Sequence, residues 1–215
     1  MSPPKAKHAE TDKGELRRQL LLDAATECFR REGVHGSSIA RICQVSGMSP
    51  GHIYHYFANK EAIVEAIAER ERNDLANILA RLPDANNGEE LVEHLVSQAP
   101  EMVARAVDPV RAGLMLELAS EGLRNASVRE ILQHSDEEIR ANFFHKYQEL
   151  GAPEGMSDAE LKQRMEVVAI LMMGMSLRSV HNANLDVPTM TALTQKIIRF
   201  LLTEGTAKGE QSAAD

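Results

Sequence analysis

The sequence has no tryptophan, only two cysteines and an aromatic content of 4%. This leans the chain toward a helical core of Leu, Ala and Met. Cys28 and Cys43 lack C-x-x-C spacing, which argues against a disulfide framework or a cysteine metal cluster and leaves two small core residues. No uncharged apolar run reaches the ~20 residues needed to cross a bilayer. The opening MSPPKAKHAETDKGE has no apolar signal core, so the expectation is a cytoplasmic chain without a membrane partner. Alternating strand patterns of useful length are missing as well, and the chain reads as all-α. With 215 residues, 43% hydrophobic and 26% charged, it can bury a sizeable core. Wholesale disorder is excluded.

The net charge of −8 is unevenly spread. Residues 1–60 carry nine Lys/Arg against six Asp/Glu, a balance of +3, whereas the remainder carries fifteen against twenty-six, a balance of −11. Such asymmetry suits a small polyanion-binding head on an acidic body that repels DNA elsewhere.

The polar stretches 1–13 and 205–215 read as disordered tails. Between them about nine helices are expected. The first spans about Glu15–Glu32, with Leu16, Leu20, Ala24, Cys28 and the adjacent Leu21, Ala25 and Phe29 as its apolar stripe and Gly33 at its end. Short helices follow from Ser38 to Val45 and from Ser49, and a long one runs from Asn59-Lys60 to about Leu82, before Pro83. Further helices are expected at roughly 89–106, 109–124, 127–150, 158–182 and 188–203, with connections short enough for one helical bundle. No repeat points to a solenoid.

The informative run is SSIARICQVSGMSPGHIYHYF, residues 37–57. Ser38 can N-cap a helix whose Ile39, Ile42 and Cys43 face inward, and Gly47 supplies a left-handed end. Ser49 caps the next helix, and Pro50 takes its first position, where a missing N–H costs nothing. Two short helices about a Gly-containing turn make either a helical hairpin or a helix-turn-helix, whose second helix presents its leading residues to base edges. The side chains after the turn favour the second reading. Gly51 and His52 add little bulk at the leading end. Tyr54, His55 and Tyr56 crowd hydroxyl and imidazole groups suited to base and phosphate contacts, while Ile53 and Phe57 face the core. Asn59 can cap the following helix, which places Lys60 at a helix N-terminus as a phosphate ligand.

From the first helix through SSIARICQVSGMSPGHIYHYFANKEAIVEAI, about residues 15–68, the chain resembles the DNA-binding domain of the TetR family of bacterial transcriptional regulators. Ser38, Ile42, Gly47, Ser49, Tyr54, Tyr56, Phe57 and Lys60 fall on that family's motif. Cys43, Ser46 and Met48 depart from its more usual Ala, Ala and Val. The resemblance implies a helix-turn-helix domain over 14–60 and a ligand-binding and dimerisation domain over 61–204. It implies DNA contacts from Ser38, Ser49, Pro50, Gly51, His52, Tyr54, His55, Tyr56 and Lys60. It further implies a homodimer, a pseudo-palindromic double-stranded operator and a small-molecule effector.

In the body, Val167–Leu177 is an uncharged stretch inside a helix and must be covered on every side. With the family pattern, this places a dimer interface on the last two helices, through Gly174, Met190, Leu193, Ile197 and Leu201. An effector pocket is expected where apolar helix faces converge. Its lining would come from Leu75 and Leu79, from Leu95 and Met102, from Leu114, Met115 and Leu118, from Phe143, Phe144 and Tyr147, and from Leu171 and Met172. Ten methionines favour a largely apolar ligand, because thioethers repack around varied shapes. Glu117, Glu121 and Arg124 read as surface charge pairs. His52 and His55 have no third metal ligand nearby, and neither cofactor nor metal is expected. Nucleophile elbows, Gly-rich phosphate loops and H-E-x-x-H are missing, so no catalytic residue is expected and the chain does not read as an enzyme. The expected function is a ligand-responsive DNA-binding regulator, a repressor, with control by a protein partner as the alternative.

Overall fold

A computed structural model describes residues 5–80, 87–150 and 156–203, with side chains described for 13–78, 87–149 and 156–203. Among these residues there are nine helices and no strand: α1 Lys5–Gly36, α2 Ile39–Ser46, α3 Pro50–Tyr56, α4 Lys60–Ala80, α5 Gly88–Val107, α6 Pro109–Gly122, α7 Ala126–Leu150, α8 Asp158–His181 and α9 Val187–Thr203. The all-α reading holds. The connections between these helices act through their side chains. Asn87, Asp108, Ser157 and Asp186 each accept a backbone N–H three residues on, and Asn125 accepts those of Ser127 and Val128.

The tail expectation is corrected over residues 5–13, which are helical. Lys, Ala and Glu there favour helix, and an isolated Gly14 costs only about 1 kcal/mol without stopping it. Residues 1–4 and 205–215 lie outside the described residues. At the other end of α1, Gly33 leaves helical geometry at φ 78° and ψ 157°, as its sequence position suggested.

The chain divides into two compact units. The first comprises residues up to Glu71 together with Gly113–Ser135. Its core joins Leu21, Leu22, Ala25, Cys28 and Phe29 of α1 to Ile42, Ile53, Phe57, Ile63, Val64 and Ile67, and closes with Leu114, Leu118 and Val128. A division at 60/61 follows the motif, whereas the packing extends further because α4 to Glu71 and the α6–α7 corner contribute to this core. The expected α1 stripe is shifted. Leu16 and Leu20 are 62% and 52% exposed, burial on that face begins at Ala24, and Leu22 is fully buried instead.

The second unit comprises Arg72–Ala112 and the chain from Asp136 onward. In it α5 lies against α8 and α9 and buries Leu91, Val92, Leu95, Val96 and Ala99 against Tyr147, Leu161, Ile198 and Leu202. Pro100 sits inside α5 and has no N–H for the Val96 carbonyl one turn back. Gln195 Nε2 of α9 donates to that oxygen at 3.1 Å, so the proline ties α5 to α9. The last carbonyls of α9 are met likewise: Tyr147 Oη donates to Leu202 at 2.9 Å and Arg164 Nη1 to Leu201 at 2.8 Å. Burial pushes the Tyr147 hydroxyl up to about 12, so it stays a donor at neutral pH.

Candidate nucleic-acid interface

Local chemistry sets the α2–α3 geometry. The Ser38 hydroxyl accepts the Arg41 N–H at 3.1 Å, Gly47 adopts φ 69° and ψ 14°, and Ser49 accepts the His52 N–H at 3.4 Å. Ile42 and Ile53 are fully buried and Phe57 nearly so, which fixes the roll of both helices on the core. Arg18 of α1 adds a guanidinium over the Phe57 ring, 5.4 Å from its centre.

With Ile53 and Phe57 inward, Ser49, Pro50, Gly51, His52, Tyr54 and His55 are exposed, and Tyr54 keeps 56% of its surface. A Cβ at Gly51 would have nothing within 4 Å, so the leading end of α3 is open to a closely approaching partner. Tyr56 is half-buried, packed against the core, and meets His55 edge-on with ring centres 5.1 Å apart. Ser38 and Ser49 are exposed; the Ser38 cap oxygen accepts an N–H and still has its own O–H to donate to an anion, while the Ser49 oxygen also lies 3.5 Å from His52 Nδ1. This face offers hydroxyls, imidazoles and a slim backbone, with no Lys or Arg on α3. Gln44 and Val45 of α2 are also exposed, and neither was singled out from the sequence. Arg41 is engaged by Glu32 at 2.6 Å, a bond that raises its pKa above the ordinary value.

Lys60 is the departure. Its Nζ donates to the carbonyl oxygens of Val34, His35 and Ser37 at 2.7, 3.4 and 3.3 Å. An ammonium has three donors, and all three are directed at the end of α1 instead of outward. Asn59 takes its expected place as the cap of α4, accepting the Ala62 N–H at 2.8 Å.

The expected pocket residues do not form one lining. Leu114, Met115 and Leu118 pack in the core of the first unit, because the α6–α7 corner belongs to it. Leu95, Phe143, Phe144 and Tyr147 share one cluster of the second unit, while Leu171 and Met172 pack with Val103, Ala106 and Met175 in another. Leu75 and Met102 are half-buried, and the side chain of Leu79 lies outside those described. Of the expected dimer residues, Gly174, Leu193 and Ile197 are exposed, and Met190 and Leu201 half-buried. The surface reading of the α6 acids is corrected. Glu121 is buried against Arg124 at 3.0 Å, and Glu117 Oε1 accepts the Val34 N–H at 2.9 Å.

Residues 21–67, from α1 into α4, match the family described as bacterial regulatory proteins, tetR family. Over this segment the chain resembles the TetR family. The HTH-type transcriptional regulator UidR of Escherichia coli is 32% identical over 117 residues, 54% of this chain and 57% of UidR. The match thus spans little more than half the length of that relative. Salmonella enterica GusR superposes with a TM-score of 0.68 at 26% identity, covering 86% of this chain and 95% of GusR. The fold is shared as well by Bacillus subtilis FadR, solved in complex with stearoyl-CoA, with a TM-score of 0.65 at 19% identity over 86% and 97% of the two chains. The TetR-family match ends within α4, and the body is related through its fold.

Proposed function

We propose that this chain is a homodimeric TetR-family transcriptional repressor that reads a pseudo-palindromic operator with two copies of α3 and releases it on binding a small, largely apolar effector. The observation that carries the DNA half is the face of α3: Pro50, Gly51, His52 and Tyr54 stand clear of a core that Ile53 and Phe57 hold fixed. These four fit base edges in the major groove, with Ser38, Ser49, His55 and Tyr56 on flanking phosphates. Lys60 supports them from beneath, through the end of α1.

Dimerisation is supported by an apolar face that a single chain leaves open. Val167, Ile170, Met173, Leu177 and Val180 of α8 and Leu193, Ile197 and Phe200 of α9 are all exposed, Met173 by 68%. A second copy presenting the same face would cover it and place two recognition helices on half-sites about 34–36 Å apart. The effector is assigned to the second unit, where Met102, Phe143, Phe144, Leu171 and Met172 are half-buried and apolar. A ligand that favours a different α3 separation by ~1.4 kcal/mol lowers operator affinity tenfold.

Gel-shift titration against the promoter beside its own gene, with and without acyl-chain and aromatic ligands, tests the proposal. Expected are a salt-sensitive specific complex and its release by an apolar ligand. Equal binding to every duplex, or a complex that survives each ligand that stabilises the protein, would overturn it.

A further inference from the structure

We infer that Glu117 is a positioning residue for operator binding: its carboxylate latches the backbone turn that leads into the helix-turn-helix. The inference rests on the DNA-binding reading above. Gly33 breaks α1, and the following N–H, that of Val34, is turned out of the helix. Val34 is 1% exposed, so this donor cannot turn to water. Glu117 Oε1 accepts it at 2.9 Å from α6, across 83 residues of sequence. The fit is close: a Cβ on Gly33 would lie 3.0 Å from the same oxygen, and one turn earlier a Cβ on Gly113 would lie 3.4 Å from Arg30 Cγ.

The same peptide is held from its other side. The carbonyl of Val34 accepts from Lys60 Nζ at 2.7 Å, so Val34 gives its N–H to an anion on α6 and its C=O to a cation on α4. Three residues later Ser37 folds back on Gly33, its N–H and its hydroxyl both donating to the Gly33 carbonyl at 3.0 and 2.8 Å. Ser38 then caps α2. The turn that aims α2 and α3, Val-His-Gly-Ser, is thereby set by long-range charged contacts as well as by its own Ser37. Releasing the carboxylate lets this turn populate other conformations, and operator affinity falls by the fraction of molecules no longer competent.

The test compares Glu117→Gln, which keeps an acceptor oxygen, with Glu117→Met, which keeps the length and loses it. Operator affinity is read by fluorescence anisotropy across a salt series, alongside hydrogen exchange of the 34–37 segment. Glu117→Gln is expected within about threefold of wild type, and Glu117→Met about tenfold weaker with faster exchange at 34–37 and an unchanged salt slope, since no phosphate contact is lost. Equal affinities for the two variants would overturn the inference. So would failure of either variant to fold, which would assign Glu117 to the fold alone. Absence of sequence-preferring DNA binding by wild type would instead sink the functional reading, while the exchange data would still report whether the latch exists.

Discussion

Lys60 and Val34, 26 residues apart, are joined by a 2.7 Å hydrogen bond from the ammonium to the carbonyl oxygen, and Lys60 extends the same clamp to His35 and Ser37. A cation at the carbonyl end of α1 is stabilised by the helix dipole and satisfies acceptors that the Gly33 break leaves open.

Lys60→Met is therefore expected to lower unfolding free energy by about 1–3 kcal/mol, as removal of a charged partner from part-buried carbonyls does. Operator affinity should fall with little change in salt slope. Urea unfolding and a salt series check this; unchanged stability with the slope reduced by one phosphate would put Lys60 on the DNA instead.

At the proposed dimer face the informative variants are ones the monomer tolerates. A Cβ at Gly174 has nothing within 4 Å, and Leu193 is 44% exposed, so Gly174→Arg and Leu193→Glu leave the fold undisturbed. Each should give a monomer in light scattering coupled to size exclusion, with normal helicity. A dimer retained by both moves the interface elsewhere.

Pro100 and Gln195 give a coupled pair. Gln195→Ala strands the Val96 carbonyl and should cost about 1 kcal/mol. In a Pro100→Ala background the restored N–H at position 100 takes that oxygen, so the same change should cost much less. A double-mutant cycle from thermal unfolding measures the difference, and strict additivity would show that Gln195 does not serve the proline gap.

His94 makes stability sensitive to acid. Its Nε2 is buried with no hydrogen-bond partner among the described residues, and burial holds its pKa below the ordinary 6.5. The unfolded chain then takes up the proton first as pH falls. The stabilisation is full above about 6.5 and is lost below it. Wild type should lose more thermal stability than His94→Leu between pH 7.5 and 5.5; equal losses would contradict this.

Local chemistry made α2 and α3 legible: Ser38, Gly47, Ser49 and Pro50 act on neighbours a few residues away, and Ile53 and Phe57 lie a turn apart. The all-α class and the separators between helices were legible for the same reason. What escaped the sequence depends on partners far along the chain. Leu16 and Leu22 look equally fit for burial until the packing shows that the core takes up α1 from Leu21 onward. Leu114 and Leu118 carry no mark that assigns them to the first unit's core and not to a pocket. Glu117 offers only an indirect signal, that the break at Gly33 leaves a donor needing an acceptor from somewhere.

The exposed end of α3 is the proposed reader of DNA sequence. Repeated selection of the protein's preferred duplexes from a random library, run in parallel for wild type and His52→Ala, is the test. Expected are enrichment of a pseudo-palindrome with half-sites about one helical turn apart, and a changed base preference within each half-site for the variant. No enrichment for wild type, or an identical motif for both proteins, would contradict that role.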